Sequence, residues 1–360
     1  IAGQIAGQIA GQIARVAEPV VDMTAQVGAL RLPNPIMTAA GTAGYGTELG
    51  AYFDLSRLGA VVVKSLSAEP WGGSPAPRLL PVAAGMLNSV GLANPGIGAW
   101  LHHDLPGLTR AGARVVVSVW GRSPAEYAAV GERLAEAVAN GAGAGAGSAV
   151  VAVEANISCP NVEDRQRMFA HSAEGTTAAL GALSAVLSPT GLPIWAKLSP
   201  NVTDLPAIAG AAIASGATGL TLVNTLMGLA LGSATGAPLL GGGGGGLSGP
   251  ALHPVAVRAV HECRLRFPGV PIIGVGGVTN GYDAAELLAA GADAVQVGTA
   301  TFADPRAPLR VLGQLTEWCA RHAVASVAQL GSRGAAGAGG APAGLGLGSV
   351  GEDHHQETIG

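Results

Sequence analysis

Eight short runs rich in β-branched residues recur along this chain, each followed by a stretch with helical spacing, and this alternation limits the available folds more than any other feature. The runs fall at 36–40, 60–65, 115–120, 150–157, 193–198, 219–224, 271–275 and 294–297. Helical patterns lie between them at 123–140, opened by Ser123-Pro124, and at 204–215, opened by Asp204 and closed by Gly216, with two more at 281–290 and 305–322. Eight strand–helix pairs in regular order predict an α/β fold of one kind, a single (β/α)8 TIM barrel, whose active residues stand just after the carboxyl ends of its strands. The 57 glycines, 49% hydrophobic and 12% charged residues suit strands buried on both faces and joined by tight loops. In a chain of 360 residues the barrel is expected to occupy 22–328. An N-terminal extension, 1–21, contains three copies of Ile-Ala-Gly-Gln, and the tail, 329–360, is rich in Gly and Ala; both termini are expected to be disordered.

The same numbers exclude several classes of partner. A net charge of −4 offers no basic field for nucleic acid or anionic lipid. No Asp, Glu, Lys or Arg occurs between Asp204 and Arg258, but Gly, Pro and Asn interrupt every stretch there that could span a bilayer, so the segment reads as buried core. Cys159, Cys263 and Cys319 are odd in number and far apart, which fits a reducing compartment; no metal-binding spacing and no leader pattern is present, so a cytoplasmic protein without a metal is expected. Cys263 and Cys319 fall on helical patterns and read as inert buried thiols.

The strand ends carry the chemistry. Ala40 and Gly41 follow the first run and let a flat ring approach the backbone. Lys64-Ser65 closes the second; a lysine at the end of a buried strand needs an anion or a hydrogen-bonding partner, and a structural salt bridge is the alternative. A long loop follows, holding Met86-Leu87-Asn88-Ser89-Val90-Gly91-Leu92-Ala93-Asn94-Pro95, of a size typical of lids and binding loops. Asn156-Ile157-Ser158-Cys159-Pro160-Asn161 ends the fourth run and sets a thiol between carboxamides that suit a planar polar ligand. Once deprotonated, such a thiol can act as a general base. Lys197 ends the fifth run and Asn224-Thr225 the sixth; Lys197 could alternatively form a Schiff base. Gly276-Gly277 and Gly298-Thr299 follow the last two runs, where barrels bind phosphate on bare backbone amides. The run Gly241 to Gly246 reads as a mobile or variable segment to which no contacts are assigned.

Taken together, Asn34-Pro35-Ile36-Met37, the 86–96 loop, Asn156 to Val162, Lys197-Leu198-Ser199-Pro200-Asn201-Val202-Thr203 and Leu247-Ser248-Gly249-Pro250 resemble the class 1 dihydroorotate dehydrogenase family. The likeness spans nearly all of 26–325, and the Lys-Leu-Ser-Pro-Asn-Val-Thr run and Met168-Phe169-Ala170-His171 resemble its B type most. The resemblance implies oxidation of dihydroorotate to orotate in pyrimidine biosynthesis, with Cys159 as base for the C5 proton and FMN accepting hydride from C6. It implies substrate contacts from Lys64, Asn88, Ser89, Val90, Gly91, Leu92, Asn156, Asn161, Asn224 and Thr225. It implies an FMN cradle of Ala40, Gly41, Lys64, Ser65, Asn156, Lys197, Val223, Gly249, Gly276, Gly277, Gly298 and Thr299. It also implies a homodimer or heterotetramer, with an electron-transfer subunit carrying FAD and a 2Fe–2S cluster. Ala40 replaces a common Ser, and His253 stands where Lys is frequent. The competing readings are a dihydropyrimidine dehydrogenase-like flavoenzyme, against which Asn161 speaks, and a non-redox barrel lyase using Lys197.

Overall fold

The structure, a computed structural model, describes residues 21–142, 149–158 and 169–331. The Ile-Ala-Gly-Gln repeats and the tail beyond residue 331 lie outside the described residues. Eight parallel strands are present, at Ile36–Thr38, Val61–Val62, Val115–Val119, Val150–Asn156, Ile194–Leu198, Gly219–Leu222, Ile272–Val275 and Ala294–Val297. Each falls within one of the eight predicted runs. They pair in sequence order, with the eighth hydrogen-bonded to the first, and a parallel bridge from Met37 to Ala60 closes the ring between the first and second.

That seam is held by a side chain as well as by backbone. Thr38 Oγ1 accepts from Val62 N at 2.8 Å and donates to Val62 O at 3.2 Å, because the second strand is only two residues long and cannot supply a full ladder. Thr38→Val keeps the shape and removes both bonds from a fully buried position, so stability is expected to fall by about 1–3 kcal/mol, read as a lower melting temperature by calorimetry.

Alternate residues of the strands feed two cores, as a period of two requires. Val115, Val117 and Val119 pack outward against the helices, whereas Val116 packs inward with Met37, Val62, Ala152, Trp195, Ile273 and Ala294. The inner core is plugged at the amino-terminal end by a hairpin, Ala25–Val27 with Leu30–Leu32, which contributes Val27 and Leu32 and turns at Gly28 against Pro271. The outer helices begin as their sequences dictate. Ser123 caps Pro124–Ala137, Asp204 caps Leu205–Ala214, and Asn280 and Asp283 form a reciprocal capping box at Gly281–Ala290. Leu330, two residues past the predicted barrel end at 328, is buried, and within the barrel Ser326 pairs with Asp22.

A four-stranded antiparallel sheet crosses the mouth of the barrel, in the order Leu226–Gly228, Gly245–Ser248, Gly85–Asn88, Leu79–Val82. It supplies the contacts of the glycine run, which the sequence left unassigned. The run turns at 240–243, donates from Gly241 N to Pro77 O at 2.8 Å, and continues as an inner strand of the sheet. Its composition answers to crowding: a Cβ at Gly245 would lie 2.4 Å from Asn88 O, and one at Gly246 only 2.0 Å from Thr225 Oγ1. Among the described residues no helix is long and apolar enough to cross a membrane.

Candidate active site

A cavity of about 550 Å³ lies between the carboxyl ends of the strands and the antiparallel sheet. Its wall includes Ala40, Gly41, Lys64, Ser65, Asn88, Val90, Leu92, Asn156, Lys197, Val223, Asn224, Thr225, Gly249, Gly276, Gly277, Gly298 and Thr299, which bring every strand except the third to one space. Cys159 and Asn161 lie outside the described residues. Ser89 and Gly91, expected among the substrate contacts, do not line the cavity. Ser89 is buried against Gly242, and Gly91 packs on Ser74 while its carbonyl accepts from Trp71 Nε1 at 2.9 Å. Both shape the loop that carries Val90 and Leu92.

Hydrogen bonds fix the polar wall before any ligand arrives. Ser118 and Ser65 share a 2.9 Å bond, Asn156 Nδ2 donates to Ser65 Oγ at 2.9 Å, and Asn224 Nδ2 donates to Ser158 O at 2.8 Å. Tyr127 Oη donates to Asn156 O at 2.7 Å from behind the strand. On the roof Asn88 Nδ2 donates to Gly246 O at 3.1 Å, so the glycine strand holds this carboxamide in register. Asn201 joins the fifth and sixth strand ends: its Nδ2 donates to Ser199 Oγ and to Thr225 O, each at 2.9 Å, while its Oδ1 accepts from Met227 N. Preorganised donors of this kind need not reorganise when charge develops on a ligand.

Two lysines face the space. Lys64 Nζ sits 5.2 Å from the Tyr45 ring centroid. Burial, with a smaller contribution from the Arg78 charge, pulls its ammonium below the ordinary lysine value; no carboxylate among the described residues offsets this. The salt-bridge alternative for Lys64 is therefore not realised there, and the unpaired charge suits an anionic ligand. Its sign predicts a pH effect. The ammonium is charged only below its pKa, so affinity for a carboxylate ligand is expected to weaken as pH rises through a value lower than an ordinary lysine's, with Lys64→Met flattening the profile. Titrating the cavity with a carboxylate-bearing ligand across alkaline pH checks this. The second cation, Lys197, is 5% exposed, and its Nζ lies 3.7 Å from Glu154 Oε1 inside the barrel.

At the opposite end the wall is backbone. Gly276 and Gly277 both adopt positive φ, and a Cβ at Gly277 would lie 2.8 Å from Gly249 O and 2.7 Å from His253 Cβ. His253 braces this turn, with Nδ1 2.9 Å from Gly276 O and Nε2 3.0 Å from Glu286 Oε2. Thr299 Oγ1 donates to Ser248 Oγ at 2.7 Å, which ties the glycine strand to the eighth strand's end. Sequence reasoning missed Ser248, Thr279 and Arg310, which also line this end. Arg310 arrives from the last helix, held by Thr279 O at 3.0 Å and Asp304 Oδ2 at 3.2 Å, and only the fold reveals its proximity. Cys263 and Cys319 are buried far from this chemistry, on outer helices, and burial pushes the Cys263 thiol up to about 12.

Comparison with known proteins bears on what such a cavity does. Residues 23–318 match the family model described as dihydroorotate dehydrogenase. The chain is 42% identical over 311 residues to the "Dihydroorotate dehydrogenase B (NAD(+)), catalytic subunit" of Pelobacter propionicus, covering 86% of this chain and 97% of that one. The proteins of the same description from Listeria welshimeri and Alkaliphilus metalliredigens are 43% and 40% identical, covering 79% and 86% of this chain and 88% and 98% of theirs.

Proposed function

Because the chain belongs to the dihydroorotate dehydrogenase family, we propose that it oxidises dihydroorotate to orotate in pyrimidine biosynthesis, as a catalytic subunit of the B type that carries FMN. The observation that carries this reading is the convergence, on one cavity, of a half-buried lysine, Lys64, a buried one, Lys197, three carboxamides and a glycine-built turn. The cavity fits FMN. Its volume of about 550 Å³ lies within the range of cofactor pockets. A Cβ at Gly41 would meet nothing within 4 Å, so the open space begins at the backbone itself. The turn at Gly276-Gly277, with Gly249 and Gly298-Thr299, offers bare amides suited to a phosphate.

In this reading Ala40, Gly41, Ser65 and Val223 would hold the ring system of FMN, and Lys197 would supply a cation to it. FMN, when bound, takes the electron pair that leaves substrate C6. Cys159 as thiolate removes the C5 proton, which splits the C–H bond while the electrons pass into the new ring double bond. Lys64 pairs with the substrate carboxylate, and Asn88, Asn156, Asn161, Asn224 and Thr225 bind the imide and carbonyl edges of the pyrimidine, so the ring enters in one orientation. Electrons leave through a partner subunit bearing FAD and a 2Fe–2S cluster, the assembly being a homodimer or heterotetramer.

Purification tests the reading. A yellow preparation with flavin absorbance rejects the lyase alternative, whereas a colourless one that never takes up FMN rejects the proposal. Co-purified subunits, followed by assays with NAD, fumarate and quinone, identify the acceptor; turnover with NAD only when a second chain is present is the expected result.

A further inference from the structure

Glu154 is the one charged residue in the fourth strand, Val150–Asn156, and it is fully buried inside the barrel. Side chains alternate along a strand, so it sits one layer below Asn156, which lines the cavity. Its Oε2 accepts from Gln296 Nε2 at 2.7 Å across the barrel, and its Oε1 has no hydrogen-bond partner but lies 3.7 Å from Lys197 Nζ. Thr221 Oγ1, level with Lys197 on the next strand, and Gln296 Oε1 are likewise buried without partners. These side chains are polar and buried beneath the floor of the cavity.

A layer with that composition is costly. Replacing a buried ion pair by apolar residues of similar volume is often neutral or stabilising, and apolar residues stand next to it, Trp195 as the register partner of Glu154 and Ala152 two residues before it on its own strand. The pair therefore points to an electrostatic role at the cavity. A separation of 3.7 Å is beyond a good hydrogen bond yet close enough for strong coupling of charge between two buried groups.

We propose that Glu154 is a positioning residue for the flavin reaction: through Lys197 it aims the ammonium at the cofactor face and offsets its charge, setting how readily the flavin is reduced. The proposal rests on the reading of the cavity as an FMN site. Reduction adds negative charge to the isoalloxazine, which Lys197 stabilises; Glu154 opposes that stabilisation from below. The carboxylate thus keeps the flavin able to return its electrons, where an uncompensated lysine would favour the reduced form.

The test is the midpoint potential of FMN bound to the full chain, read anaerobically against reference dyes, for Glu154→Gln. A positive shift is expected, corresponding to about a tenfold change in the equilibrium constant for reduction, with reoxidation slowed. In the Lys197→Ala background the same substitution should have a smaller effect. A folded, flavin-loaded Glu154→Gln protein with an unchanged midpoint overturns the proposal, as does a full-sized effect without Lys197. If Glu154→Gln does not fold, Glu154→Asp withdraws the carboxylate from Lys197 and is expected to give a smaller positive shift; an unchanged midpoint there also overturns it. A purely structural role would lower the melting temperature and leave the midpoint alone. Failure of the underlying reading looks different, since the unsubstituted protein would then bind no flavin at all.

Discussion

Replacing Cys159 by serine is expected to slow reduction of the bound flavin by dihydroorotate by about two to four orders of magnitude while FMN stays bound, the usual range for losing a positioned general base. The argument is chemical. A carbon-bound proton must leave as the electron pair departs, and a serine hydroxyl is far less acidic than a thiol, so at neutral pH the oxygen is almost never available as the anion. The variant should show normal flavin absorbance and normal orotate affinity, because neither depends on the sulfur. Its rate should rise with pH over a wider range than the parent's. Rapid-mixing absorbance of the oxidised flavin, compared between the two proteins, measures this, and equal reduction rates would remove Cys159 from the role of base.

Lys197→Ala is expected to act through two losses at once. The cavity loses the cation that faces the cofactor, and Glu154, 0% exposed, loses the only cation within 4 Å of it among the described residues. Breaking a buried pair from one side costs about 3–5 kcal/mol, so the melting temperature should fall sharply. Flavin affinity should drop by at least about tenfold as charge complementarity is lost. Equilibrium dialysis for FMN and thermal unfolding separate the two effects. Adding Glu154→Gln to the lysine variant should restore part of the stability and none of the flavin affinity.

Much of this architecture was legible because barrel physics writes itself into local pattern. Strands buried on both faces must be continuous apolar runs, which is why Val115–Val119 and Ile194–Leu198 stood out, and the caps at Ser123 and Asp204 follow from unpaired helix amides. Other elements were hidden for equally physical reasons. The hairpin at 25–32 is three residues per strand and draws its stability from plugging the barrel, which no local window reveals. The strand at Gly245–Ser248 has almost no β propensity; its glycines are there because neighbouring backbone leaves no room for a Cβ, a tertiary fact.

The site divides in the same way. Lys64, Asn156, Lys197 and Asn224 were found because strand ends are where barrels place function, and the structure brings them to one cavity. Ser89 and Gly91 were implied by the resemblance; they do not line the cavity, because a loop's successive residues face different ways. Glu154 carried a signal that went unused: a lone acid inside an apolar strand must find a partner. Arg310 carried none, since its approach depends on how the last helix packs.

The most direct test of the central claim is a single anaerobic turnover. Purified, flavin-loaded protein mixed with one equivalent of dihydroorotate should bleach its oxidised flavin band and release one orotate per flavin bleached. Orotate formed without bleaching, or an intact band in the presence of excess dihydroorotate, would contradict the account.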